Sequence, residues 1–297
     1  MLDEILRAAG YRTGRYTSPH LLHYNERIVI GGYACEDEAI CQAFEKIDFA
    51  REKVSLTYFE FSTLAAVTLF CEQAIDIAIL EVGMGGRLDA VNIFDADIAL
   101  ITPISLDHVQ WLGHDRNTIG FEKAGIIRSH TPVVCSEDTP PDSVIAHAKQ
   151  LNAALYIGNT DFHVHFDTDS WQWSNSTVSW HDLPYPALSG RYQVQNASAV
   201  LQVISLLNLQ GLTITHQHVA QGLRDVKLMG RFQQLDGPVT RILDVTHNQH
   251  GAVNLAELLR TTPCEGKTIV VLGMLKDKEV TAVVETLKPF VDLWHIA

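Results

Sequence analysis

Residues 75–82, IDIAILEV, make a nearly continuous apolar run with a carboxylate near its end, and GMGGR follows at once. A run of strand length that is apolar on both faces suits a parallel strand buried between helices. Ile98–Ile104 reads as a second such strand and Pro132–Cys135 as a shorter third. Helical patterns alternate with them: Leu2–Ala9, stopped at Gly10, then amphipathic Glu36–Lys53 and the more buried Phe59–Ala74. This order predicts an α/β domain with a mostly parallel sheet. In such sheets ligands gather beyond the carboxyl ends of the strands. Glu81 and the turn before His108 fall at such ends.

The texture changes between Leu155 and Leu188. The stretch DFHVHFDTDSWQWSNSTVSWHDL alternates polar and apolar residues and predicts antiparallel hairpins, a small β-insert. Asn196–Leu207 and His218–Leu223 return to helix, and Arg224–Gly230 reads as a linker. Arg241–Val245 and Thr268–Gly273 read as strands around a helix at Gly251–Arg260, the opening βαβ of a second α/β domain. A third strand is expected at Leu293–Ala297. The first helix opens without a capping residue or a preceding strand, and two strands with a third stub do not close a stable sheet. A longer parent protein is therefore expected at both ends, with a domain boundary between residues 229 and 230.

A formal net charge of -13 disfavours nucleic acid as a partner. No window reaches the roughly 20 apolar residues that a membrane span needs, and the N-terminus lacks a secretory pattern. The five cysteines form no CxxC pair. They are expected to be reduced and mostly buried, in a cytoplasmic protein.

Several segments could carry chemistry. The small residues after Glu81 let backbone approach a ligand, and a strand-end carboxylate suits a hard cation such as Mg²⁺. A solvated strand-end Glu is the plainer alternative. A dinucleotide fingerprint would need its third glycine at Leu88, so it does not fit. His108, beside Asp107, has the type of a metal ligand or acid/base group, or is structural. Lys123, in the first part of a helical turn, is a surface lysine or one held near phosphate or metal. Arg231 opens the second domain, and Asp244 and His247 end its first strand. His247 and His250 are spaced as HxxH without a third zinc ligand of recognisable spacing. His163 and His165 alternate on a strand and are expected on its solvent side.

Taken in order, the segments YTSPHL, NER, TYFE, ILEVGMGGRLDAVNI, LDH, EKAGI, QNAS, GRFQ, DVTHN and GMLKDKE span essentially the whole chain. The series resembles the bifunctional dihydrofolate synthase/folylpolyglutamate synthase family, a branch of the Mur ligases. The resemblance implies a Mur-ligase-like parallel-sheet ATPase domain at residues 1–229 with the β-insert. It also implies an incomplete Rossmann-like α/β domain at residues 230–297. It implies ATP and Mg²⁺, with dihydropteroate, folates and L-glutamate as substrates of a monomeric enzyme. Such ligases phosphorylate a carboxylate with ATP, and the glutamate amine then attacks the acyl phosphate. Carried over by motif, Glu81 and His108 would bind Mg²⁺. Lys123 would be the lysine that takes up CO₂ as a carbamate and serves a second Mg²⁺. Asp89 and Ala90 would face the pterin. Asn196, Arg231 and Asp244 would contact ATP, and His247 would stand beside the reacting phosphate.

The sequence departs from the family in places. No GxxGKG[ST] loop occurs in these 297 residues. Gly266-Lys267-Thr268 leads into a strand, and Thr261 stands where the first glycine is needed. Gln249 replaces a proline after DVTHN, a change of small expected effect, and Met229 precedes Gly230 where proline is usual. Without the phosphate loop, no ATP-dependent ligation is expected from this chain alone. An inactive remnant and a cell-wall Mur-type ligase are the alternatives.

Overall fold

The chain opens with helix α1 (Leu2–Ala8), strand β1 (Thr13–Tyr16), strands β2 (Ile28–Ile30) and β3 (Tyr33–Ala34), and helices α2 (Asp37–Arg51) and α3 (Tyr58–Glu72). Strand β4 (Ile77–Leu80) follows, then β5 (Ala99–Ile101), α4 (Val109–Leu112), α5 (Arg116–Ala124), β6 (Val133–Cys135), α6 (Asp142–Gln150) and β7 (Leu155–Ile157). Next come β8 (Phe162–Phe166), β9 (Trp171–Asn175), β10 (Ser179–Leu183), α7 (Arg191–Leu209) and α8 (His216–Asp225). The last elements are β11 (Gln233–Leu235), β12 (Arg241–Leu243), α9 (Gln249–Thr261), β13 (Ile269–Leu272), α10 (Val280–Leu287) and β14 (Leu293–Ile296). This computed structural model describes residues 1–262, 264–275 and 278–297. They divide into two units, Met1–Tyr185 with Asn196–Asp225, and Pro186–Gln195 with Val226–Ala297.

In the first unit a four-stranded sheet has the order β3-β2-β1-β4. Strand β1 runs parallel to β4 and antiparallel to β2. Helices α2 and α3 cover this sheet through a core that includes Tyr16, Ile28, Ile40, Leu69 and Phe70. A second sheet, β5-β6-β7, is wholly parallel and packs against α5 and α6 through Ile101, Ile119, Val133 and Val144. Strands β8, β9 and β10 form an antiparallel meander around buried Phe162, Trp171, Trp173 and Leu183. Helix α1 lies against α8 so closely that a Cβ on Gly222 would stand 2.6 Å from the Ile5 nitrogen.

The α/β class and the β-insert agree with expectation, and several details do not. The run at 75–82 is strand only at Ile77–Leu80, and its residues are partly exposed rather than buried. Among the described residues β4 pairs only with β1, so it is a sheet edge. Leu155–Ile157 joins the parallel sheet beside β6 rather than the antiparallel insert. The helix expected from Asn196 starts at Arg191. In the second unit β12 pairs antiparallel with β11, and β13 pairs in parallel with β14 through α10. The opening βαβ therefore runs β13-α10-β14 rather than β12-α9-β13. The cysteines are free, but only Cys135 is buried, while Cys41, Cys71 and Cys264 are exposed. Burial pushes the Cys135 thiol up to about 11, which keeps it protonated and unreactive at neutral pH.

Candidate active site

Parallel pairing of β1 with β4 brings the segments that follow them together. The Glu81 N–H donates to the Tyr16 carbonyl at 2.9 Å, and Glu81 Oε2 accepts the Ser18 N–H at 2.9 Å. Ser18 is thus a site neighbour that sequence reasoning passed over. Its signal was present, since TSPHL follows a strand whose tip meets that of β4, but TGRY is too short and polar to announce that strand. Further along, Glu26 accepts the N–H groups of Leu21, Leu22 and His23 at 2.7, 2.8 and 2.7 Å. Partial burial pushes its carboxyl up, and those three donors outweigh this and hold it below the ordinary range.

The glycines after Glu81 serve packing. A Cβ on Gly83 would overlap the Phe59 ring, and one on Gly86 would stand 2.8 Å from the Glu122 carbonyl oxygen. The loop is thereby pressed onto the end of α5. Asp89 organises the loop from within, since Oδ2 accepts the Met84 N–H and Oδ1 the Val91 N–H, both at 3.0 Å. Ala90 begins the 3₁₀ turn that Asp89 caps. Both predicted pterin-facing residues therefore sit on one short, tightly held turn.

His108 caps α4 in the left-handed conformation, at φ 50°. Few non-glycine residues adopt it, and it is often met at functional sites. Its N–H donates to Asp107 Oδ1 at 2.8 Å. Lys123 lies on a helix, in the last turn of α5. Burial lowers its pKa from the ordinary value, and the negative charge of Asp107 opposes this. The loop bearing Asp107 and His108 is braced by Arg116, whose Nε donates to the Ile104 carbonyl at 3.0 Å and whose Nη2 meets Glu137 at 2.6 Å.

No three His, Cys, Asp or Glu side chains converge as a ready-made metal cluster among the described residues. Glu81 and His108 supply one carboxylate and one imidazole. As the expected ligands they suit a hard divalent cation only with further oxygens, such as those of nucleotide phosphate or a carbamate on Lys123.

In the second unit Asp244 ties the GRFQ and DVTHN segments together. Its Oδ2 accepts the Phe232 N–H at 2.8 Å and its Oδ1 the Thr246 N–H at 2.9 Å. Arg231 stands exposed between Gly230 and Phe232. His247 Nδ1 lies 3.0 Å from the Val245 carbonyl oxygen, so Nδ1 is the donor of that hydrogen bond. Asn248 caps α9 by accepting the Gly251 N–H at 2.8 Å. Gln249 takes the first helical position, where proline is common because no hydrogen bond is lost there. Asn196 lies within α7 and belongs to the first unit, whereas Arg231, Asp244 and His247 belong to the second. Of the GMLKDKE segment, Lys276 and Asp277 lie outside the described residues. His163 and His165 are exposed on β8, as expected. A cavity of about 300 Å³ lined by Tyr156, Asp161, His163, Asn175 and Gln202 holds none of the site residues.

An α/β unit with a glycine loop directly after a strand, followed in sequence by a second α/β unit, is the layout of a Mur-type ligase. Consistent with this, residues 36–204 match the Mur ligase middle domain, and residues 230–297 match the Mur ligase glutamate ligase domain. The chain belongs to the dihydrofolate synthase/folylpolyglutamate synthase family. It is 39% identical over 296 residues to the protein of that name from Escherichia coli K12, covering 100% of this chain and 68% of the relative. The Haemophilus influenzae protein is 41% identical over 313 residues, covering 99% of this chain and 70% of the relative. The solved structure of E. coli FolC in complex with DHPP and ADP superposes with a TM-score of 0.92 at 39% identity, covering 99% of this chain and 69% of that one. A bifunctional enzyme of this family with Mn, AMPPNP and L-glutamate bound gives a TM-score of 0.90 at 39% identity, covering 99% and 70%.

Proposed function

We propose that this is the site at which a ligase of this family adds L-glutamate to dihydropteroate and to folates with ATP, and that these 297 residues, which contain no GxxGKG[ST] loop, do not complete that reaction alone. The observation that carries this reading is the turn from Glu81 to Ala90 locked against the Lys123 end of α5, within a chain whose relatives carry this activity in their names. A carboxylate oxygen of the pterin substrate attacks the γ-phosphorus of ATP and ADP departs. The glutamate amine then attacks the acyl carbon, phosphate leaves, and the amine loses a proton as the amide forms. Bound Mg²⁺ would neutralise the charge gathered in both steps.

Glu81 and His108 are proposed as its protein ligands. Lys123, made easier to deprotonate by burial, is suited to react with CO₂, and the resulting carbamate would be an additional oxygen ligand. Asp89 and Ala90 shape the pterin wall, with the Asp89 carboxylate acting through the loop it holds. Asn196, Arg231 and Asp244 are assigned to ATP. His247, with Nδ1 held by the Val245 carbonyl, directs Nε2 chemistry to the phosphate. Residues 1–229 are read as the ATP- and Mg²⁺-binding domain and 230–297 as the C-terminal α/β domain. A monomer in the cytoplasm acting on small molecules, without nucleic acid or membrane, belongs to the same reading; the net charge of -13 disfavours nucleic acid, and among the described residues no helix is long and apolar enough to cross a membrane. None of the relatives named above is a cell-wall ligase or an inactive remnant.

Substrate competition tests the reading. Dihydropteroate should bind in a calorimetric titration, and UDP-linked cell-wall precursors should neither bind nor displace it. Binding of the UDP precursors instead would overturn the assignment.

A further inference from the structure

Arg87 and Glu122 are joined more closely than a surface ion pair requires. The Arg87 guanidinium donates to both Glu122 oxygens, Nε at 3.2 and 3.2 Å and Nη2 at 2.9 Å. The Arg87 N–H also donates to the Glu122 carbonyl at 2.8 Å. The guanidinium carbon lies 5.6 Å from the centre of the Phe121 ring. The backbones touch as well, since a Cβ on Gly125 would overlap Cα and Cβ of Arg87. Asn92 Nδ2 then bridges the Arg87 carbonyl at 3.2 Å and the Gly125 carbonyl at 3.0 Å. The carbonyls at the end of a helix lack partners of their own, and here the loop supplies them.

Consecutive residues of a helix point about 100° apart. Glu122 faces the loop, and the Lys123 side chain leaves the same turn about 100° round the axis, within the field of Asp107. Gripping Glu122 fixes the rotation of the last turn of α5 and with it the direction of Lys123. An exposed ion pair contributes little by itself. This one is bidentate, Glu122 is only 19% exposed, and it adjoins the lysine.

We propose that Arg87 is a positioning residue which, through Glu122, holds Lys123 at the angle that lets it serve the divalent cation beside Glu81. The inference rests on the ligase reading of Glu81, His108 and Lys123. Mn²⁺ titration followed by electron paramagnetic resonance, on the whole chain in bicarbonate buffer, tests it without turnover. Partners that orient metal ligands typically change metal affinity by about 10- to 100-fold when removed. Arg87→Ala should weaken Mn²⁺ binding by about tenfold, Arg87→Lys should recover little because an ammonium lacks the fork, and the reversed pair Arg87→Glu/Glu122→Arg should recover most of it. If Arg87→Ala does not fold, Arg87→Lys and Glu122→Gln carry the same comparison. Wild-type Mn²⁺ affinity in the folded Arg87 and Glu122 variants would overturn the positioning role alone. Absence of Mn²⁺ binding by the unmodified chain would overturn the metal reading and the inference with it.

Discussion

At the start of α3 the Thr57 hydroxyl accepts the Glu60 N–H at 3.2 Å, and the Glu60 carboxylate accepts the Thr57 N–H at 2.6 Å. This reciprocal cap holds the TYFE segment on which Phe59 supports the glycine loop. Thr57→Ala should lower unfolding stability by about 1 kcal/mol, read as a shift in the urea midpoint. Gly125→Ala should cost more, about 1–3 kcal/mol, because the new methyl meets backbone that cannot swing aside. Glu26 gives a pH signature. Its folded pKa lies below the ordinary 4.5, so its contribution is present above that value and is lost as pH falls through the folded one. The melting-temperature gap between the wild type and Glu26→Gln should therefore be widest near neutral pH and shrink below pH 4.5. At this scale the sequence was legible for the placement of Glu81, directly after β4, and of Lys123, on a helix. It was silent on Ser18 and on Arg87 with Glu122, because those pairings depend on which strand tip or helix end stands opposite.

The elements differ in how plainly they could be read. The long helices were legible, α2 from its amphipathic spacing and α3 from its largely apolar content, over 15 residues each. Strands β1, β2 and β3 were not, because runs of four, three and two residues carry no period, and their pairing comes from tertiary contacts. The exposure of β4 was missed for a related reason, since composition fixes what a strand could bury but not how many neighbours it has. The meander β8-β9-β10 was visible in its alternation, and its core depends on Trp171, which is fully buried and donates from Nε1 to the Pro184 carbonyl at 2.9 Å. Trp171→Ala should destabilise the protein by about 3–5 kcal/mol, measured by denaturant unfolding, with tryptophan fluorescence reporting the insert directly.

For the molecule as a whole, the two units carry different parts of the assigned chemistry. Glu81, Asp89, Ala90, His108 and Lys123, proposed for metal and pterin, lie in the first, while Arg231, Asp244 and His247 lie in the second. The chain spans 68–70% of the E. coli and H. influenzae relatives. A ligand that binds only the folded state stabilises it by about 2.7 kcal/mol at 100 times its dissociation constant, so dihydropteroate should raise the melting temperature in a saturable way. The most direct test of a folate-ligase site is a calorimetric titration of the chain with dihydropteroate, set beside the same titration with a UDP-linked cell-wall precursor. The account predicts saturable dihydropteroate binding that weakens in Asp89→Ala, and no heat from the UDP compound. Saturable binding of the UDP compound with none of dihydropteroate would contradict it.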